Sequence, residues 1–124
     1  VSTNAALIYL SLSHNKLTSI DVSTNTALIA LGLSDNQLTS IDVSANTALN
    51  GLYLESNQLT SIDVSTNTAL RAFFLENNQL TNVPLGLSGI TYTNATMNLT
   101  SNNFDTNAQA QLENLKLTYP ILSY

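Results

Sequence analysis

The chain has no cysteine, only three Lys and Arg residues, few charged residues of any kind and no long apolar run. Each shortage removes a class of protein. Without cysteine there are no disulfide staples and no thiol nucleophile, although this says nothing firm about compartment. Three cations against eight carboxylates leave a net charge of −5 and a pI near 4.2. Gripping phosphates needs clustered cations, so the balance argues against nucleic acid and against anionic membranes as partners. No apolar stretch nears the ~20 residues that span a bilayer, so membrane insertion is not expected. The opening Val1-Ser2-Thr3-Asn4 has neither the basic start nor the apolar stretch of a secretory signal. Charged residues make up 9% of the chain, well below the usual quarter. Ser, Thr and Asn fill the polar positions instead, a composition that fits an extracellular bacterial protein.

What is present is repetition. Four near-copies of one 21-residue phrase start at Leu7, Leu28, Leu49 and Leu70. The first three read LIYLSLSHNKLTSIDVSTNTA, LIALGLSDNQLTSIDVSANTA and LNGLYLESNQLTSIDVSTNTA. Self-similarity at this period, with an LxxLxLxxNxL core, is the mark of a solenoid that stacks one strand per turn. Within each copy, positions 1, 4, 6, 11, 14, 16 and 21 are apolar; in the first these are Leu7, Leu10, Leu12, Leu17, Ile20, Val22 and Ala27. Leu10-Ser11-Leu12 alternates with the period of a strand buried on one face. Ile20-Asp21-Val22 alternates too, which predicts a second extended segment on the back of each turn.

Asn15, Asn36, Asn57 and Asn78, with Asn102 further on, stand where the chain leaves each strand. An Asn there offers an acceptor and two donors to backbone groups that a tight bend would leave bare, so this column reads as structural. A second column of Asn4, Asn25, Asn46 and Asn67 is expected to do the same at the opposite bend.

Val1-Ser2-Thr3-Asn4-Ala5-Ala6 aligns with the end of a copy, so the first turn lacks its strand and further turns are expected upstream. After Val83-Pro84 the phrase degrades and then recovers as Met97-Asn98-Leu99-Thr100-Ser101-Asn102-Asn103-Phe104, a fifth strand. Beyond it, Ala108, Leu112 and Leu115 fall at i, i+4 and i+7, Asp105 or Thr106 can cap the N-terminus, and Lys116 suits the C-terminal end before Pro120. The division is thus a solenoid over 1–104, with a partial turn at 1–6 and a degenerate repeat near 94, and a capping helix with a tail over 105–124.

The phrase LxxLxLxxNxLTSIDVSxNTA resembles the leucine-rich repeats of bacterial surface and secreted proteins, in the DVSxNTAL variant associated with the Bacteroidetes group. The resemblance covers roughly residues 1–104. It implies a mainly β (or α/β) right-handed solenoid with a parallel concave sheet, extended convex segments and a C-terminal capping helix. It also implies adhesion or recognition of a protein or glycan on the concave face, in a larger protein at the cell surface or outside the cell.

Comparing the copies with each other locates the variation. Across the three full copies, positions 9 to 21 are identical except at 10 and 18, whereas positions 2, 3, 5, 7 and 8 all change. Positions 3, 5 and 7 point away from the core and position 8 borders them. Position 3 gives Tyr9, Ala30, Gly51, Ala72 and then Thr96; position 5 gives Ser11, Gly32, Tyr53, Phe74 and Asn98; position 7 gives Ser13, Ser34, Glu55, Glu76 and Thr100. Small residues make a shallow floor between Tyr9 on one side and Tyr53 and Phe74 on the other, beside an acidic edge of Glu55 and Glu76 that would favour a cationic group. Exposed aromatics anchor interfaces, but they also form cross-strand pairs that only stabilise a sheet. The candidate binding residues are Tyr9, Ser11, Ser13, Ala30, Gly32, Asp35, Gly51, Tyr53, Glu55, Ala72, Phe74 and Glu76.

Other constellations carry less. Ser13, His14 and Asp35 contain the residue types of a catalytic triad, but Ser13 and His14 are adjacent and their side chains should diverge; no nucleophile elbow is evident, and catalysis is not expected. His14 and Asp35 could approach across neighbouring strands, yet two ligands do not make a metal site. Asp21, Asp42 and Asp63 lack the ligand density of a calcium loop and fit backbone-bonded turns better. No cofactor or metal is called for. Thr18, Thr39, Thr60 and Thr81, beside Ser19, Ser40 and Ser61, form a weakly charged ladder of the kind found on ice-binding solenoids, although such residues simply suit half-exposed extended positions. A spacer without a ligand is the remaining alternative. Asn94-Ala95-Thr96 and Asn98-Leu99-Thr100 are glycosylation sequons, relevant only in a eukaryotic secretory host.

Overall fold

The computed structural model describes residues 3–124; Val1 and Ser2, which open the partial first turn, lie outside the described residues. Each phrase contributes one three-residue strand, because only its central apolar residue is walled between two outward positions before the chain must bend. The strands are β1 (Tyr9–Ser11), β2 (Ala30–Gly32), β3 (Gly51–Tyr53), β4 (Ala72–Phe74), β5 (Thr96–Asn98) and β6 (Leu122–Ser123). They form one parallel sheet in sequence order, with Tyr9 level with Ala30, Gly51, Ala72 and Thr96. The equal 21-residue period fixes this register, and the fourth turn's extra residues do not disturb it.

Behind the sheet, like positions stack. Leu31, Leu52, Phe73 and Met97 form one fully buried column and Leu33, Leu54, Leu75 and Leu99 another. Their counterparts in the first turn, Leu10 and Leu12, are only partly buried, since no strand lies outside β1 among the described residues.

The bend after each strand has a conformational cause. Position 8 is left-handed in every turn, at His14, Asp35, Ser56, Asn77 and Ser101, with φ between 54 and 58°. His, Asp and Asn are the side chains that tolerate this region best. Variation at position 8 therefore reflects backbone geometry as well as surface chemistry. The bend turns the next Asn inward. Asn57 donates through Nδ2 to the carbonyls of Leu33 and Leu54, and its Oδ1 accepts from the Leu38 amide. Asn36, Asn78 and Asn102 repeat the pattern one turn apart. Asn15 differs: it is exposed and bonds only the Leu12 and Ser13 carbonyls of its own turn. The second column works from the other bend, with Asn46 reaching Val22 and Asn25 and Asn67 reaching Val43 and Asn46.

The back of each turn is less regular than its alternation predicts. Among the described residues the one ladder contact there is a parallel bridge between Asp63 and Leu85. The Asp carboxylates explain this: Asp21, Asp42 and Asp63 each accept from the amide two residues on, which closes a turn and ends the extended run. In the fourth turn Gly86 has φ 82° and an added Cβ would lie 2.2 Å from the Ser65 Cα, so only glycine fits. Leu85, in the position-16 place, is left exposed while Leu87 fills the core.

The cap is α1 (Thr106–Lys116), N-capped by Asp105, whose carboxylate accepts from the Ala108 amide at 2.7 Å. Ala108 and Leu112 are buried on its inner side. The following residues are more than the tail their sequence indicates. After Pro120 the chain returns beside β5 as β6, with Met97 opposite Leu122. Tyr119 is buried and its hydroxyl donates to the Ile90 and Ser88 carbonyls at 2.8 and 3.1 Å. Among the described residues no helix is long and apolar enough to cross a membrane.

Candidate functional site

The parallel register places the variable positions in straight columns on the outward face. Ser11, Gly32, Tyr53, Phe74 and Asn98 lie on successive strands. The Tyr53 and Phe74 rings stack, 5.6 Å between centroids and 7° from parallel. Both are half-buried rather than openly exposed. Phe74 thus covers one face of Tyr53, which is the sheet-stabilising role of a cross-strand pair. Gly51 makes room for the ring: a Cβ there would lie 2.9 Å from Tyr53 Cε2.

On the other side of Tyr53 the surface opens. A groove of about 500 Å³ runs over β1–β3, within the range of small-ligand sites. Its walls are Tyr9, 69% exposed, and Tyr53; Ala30 and Gly32 form its floor; Ser11, Ser13 and Ser34 supply hydroxyls. Ser34 belongs to the position-7 column but is not among the candidate binding residues, although its place in that column, beside Ser13, is the signal for it. Gly51, Ala72, Phe74, Glu55, Glu76 and Asp35 lie outside the groove's lining.

The acidic edge is partly committed. Glu55 accepts a hydrogen bond from the Ser34 hydroxyl. Glu76 is half-buried; desolvation pushes its pKa up, with Glu55 on the neighbouring turn adding repulsion. One Glu76 carboxylate oxygen is buried without a hydrogen-bond partner. At the rim His14 and Asp35 pair, Nδ1 to Oδ2 at 3.1 Å, both largely open to solvent. Ser13 lines the groove while His14 pairs with Asp35, and no hydrogen bond among the described residues joins Ser13 to that pair. Among the described residues no three His, Cys, Asp or Glu side chains are placed to hold a metal ion. On the back, Ser hydroxyl and amide bonds lower the pKa values of Asp21, Asp42 and Asp63. Thr18, Thr39, Thr60 and Thr81 are all exposed.

A one-sheet solenoid with its variable side chains gathered on the strand face defines a repeat-built scaffold that presents a surface. The leucine-rich repeat family model matches residues 6–25. Among solved structures, the functional domain of InlJ from Listeria monocytogenes, which includes a cysteine ladder, superposes with a TM-score of 0.79 and 33% identity, over 84% of this chain and 22% of that one. A leucine-rich repeat protein of Leptospira interrogans gives a TM-score of 0.73 at 21% identity, over 96% of this chain and 37% of that one. The chain therefore spans well under half the length of either. Comparison with the curated proteins gives no match. By repeat, fold and likeness, the chain folds as a leucine-rich repeat solenoid with a C-terminal helix. The Listeria domain includes a cysteine ladder; this chain has no cysteine, and asparagine side chains link its neighbouring turns.

Proposed function

We propose that the chain is a non-enzymatic recognition module, binding a protein or glycan through its strand face within a larger bacterial surface or secreted protein. One observation carries this reading: side chains vary at the outward strand positions while the scaffold beneath them repeats almost verbatim, and the varied positions surround an open groove. Leucine-rich repeat domains are commonly protein-interaction modules, and the likeness to the Listeria domain fits a bacterial setting. The test is capture from host-surface and extracellular-matrix extract by the wild type and by a Tyr9, Tyr53 and Phe74 triple Ala variant. A component held by the wild type alone supports recognition. Equal capture, or none, favours the spacer reading.

The second reading is ice binding through Thr18, Thr39, Thr60 and Thr81, favoured by their uniform exposure on the turns. Thermal hysteresis that Thr39→Ala plus Thr60→Ala removes would establish it.

A further inference from the structure

Gly32 ends β2, the second strand of the sheet, with no structural need to be glycine. It lies in a strand, where glycine weakens pairing and often marks close approach of a ligand. Its backbone is not left-handed, since Gly86 is the one glycine with positive φ. A Cβ there would make only ordinary contacts, 3.5 Å from the Ser11 and Ser13 hydroxyl oxygens. Gly51 is required by the Tyr53 ring; nothing within the chain requires Gly32. What its missing side chain leaves is open floor, directly opposite Tyr53 in register and below the ring face that Phe74 does not cover.

The chemistry around that floor is uniform. Every residue lining the groove is uncharged, and five of them carry hydroxyls. The hydroxyls of Tyr9, Ser11, Ser13 and Tyr53 have no hydrogen-bond partner among the described residues, whereas that of Ser34 is engaged by Glu55. A hydroxyl both donates and accepts, which matches a ligand whose own groups do the same. The cations Lys16, Arg71 and Lys116 all lie outside the groove, so nothing there would hold a sulfate, phosphate or carboxylate. Glu55 beside it would repel one. An extended peptide gains affinity from backbone ladders at a sheet edge, but the groove lies on the sheet's face, where the amides are already paired between strands. An aromatic face carries partial negative charge and attracts the weakly positive C–H groups of a flat saturated ring.

We propose that the groove is a carbohydrate subsite that takes a neutral pyranose, its C–H face against Tyr53 over Gly32 and its hydroxyls met by Tyr9, Ser11 and Ser13. The proposal rests on the strand-face reading above and names the ligand class for that surface.

The test screens the whole chain on an array of neutral β-glucan, xylan, mannan and galactan oligosaccharides beside sialylated and sulfated ones. The best neutral sugar is then titrated while the tyrosine ring resonances are followed. Saturable binding that shifts Tyr9 and Tyr53, and that weakens at least about ten-fold in Gly32→Val, is the expected result. Valine suits a strand, so this variant should melt no lower than the wild type. Thr60→Ala, on the back, should bind as the wild type does. Binding to acidic glycans only, binding to no sugar, or equal binding by Gly32→Val overturns the proposal. If extract capture still depends on Tyr9, Tyr53 and Phe74 while no neutral sugar binds, the carbohydrate inference falls and the recognition surface stands. If neither ligand is held, both fall.

Discussion

At the scale of single residues, one amino acid at one repeat position does two different jobs. Asn57 is buried and serves four backbone groups on two adjacent turns, three of them deep in the core. Asn15 occupies the same place in its phrase yet is exposed and holds only its own bend. Leucine at position 57 would strand the Leu38 amide, at about 1–3 kcal/mol for a buried group left unpaired. It would also take one of two donors from the Leu33 and Leu54 carbonyls, which Asn36 and Asn78 also reach. Leucine at position 15 leaves its carbonyls in reach of water. Asn57→Leu is therefore expected to lower Tm far more than Asn15→Leu, and more than Tyr53→Ala, which removes only half-buried surface. Equal melting temperatures for the two Asn variants would show that the ladder does not carry the bend. The ladder itself is legible in the sequence, since an Asn recurring every 21 residues just after a strand falls where bent backbone needs both donors and an acceptor. The left-handed residue before it is less so, because Ser56 and Ser101 share the backbone angle of His14, Asp35 and Asn77 without being among the side chains that favour it.

At the scale of elements, strand columns couple residues far apart in sequence. Glu55 and Glu76 stand on adjacent turns, two residues beyond β3 and β4, and the second is held partly out of water beside the first. A carboxyl whose pKa is raised on folding is a cost at any pH where it is ionised. That cost is fully present above the raised value, shrinks as pH falls through it, and is gone below the ordinary 4.5. Glu76→Gln is accordingly expected to melt above the wild type at neutral pH and to converge with it in acid. Asp21, Asp42 and Asp63 act in the opposite sense, adding stability above the ordinary 3.8 that is lost as pH falls through their lowered values. Since both proteins carry these Asp residues, the difference between their melts isolates Glu76. A Glu76→Gln advantage that persists unchanged in acid would assign the effect to packing. The pairing of β4 with β5 is readable from Met97-Asn98-Leu99, but β6 is not. Two residues show no periodicity, and the Leu122–Met97 contact depends on how α1 turns the chain back, which only the folded packing determines.

At the scale of the whole molecule, stability in a stacked array is a sum over turns and the interfaces between them. Identical positions should then differ in energy only through their neighbours, and the solenoid contains that comparison. Leu31 is fully buried between turns, whereas Leu10, its equivalent in β1, is only partly buried. Leu31→Ala should cost about 2–5 kcal/mol, the sum of lost transfer energy and an internal cavity. Leu10→Ala should cost clearly less, because the truncated site is open on one side and leaves no closed cavity. Placing a copy of residues 28–48 immediately before Leu7 would cover β1 with an in-register turn. The cost of Leu10→Ala should then rise towards that of Leu31→Ala, while Leu31→Ala, one interface further in, should be unchanged. Denaturant melts of the four variants, with and without the added turn, measure both shifts. If Leu10→Ala already costs as much as Leu31→Ala without the added turn, or does not respond to it, nearest-neighbour packing is not what sets the stability of these turns, and the chain folds as one indivisible core.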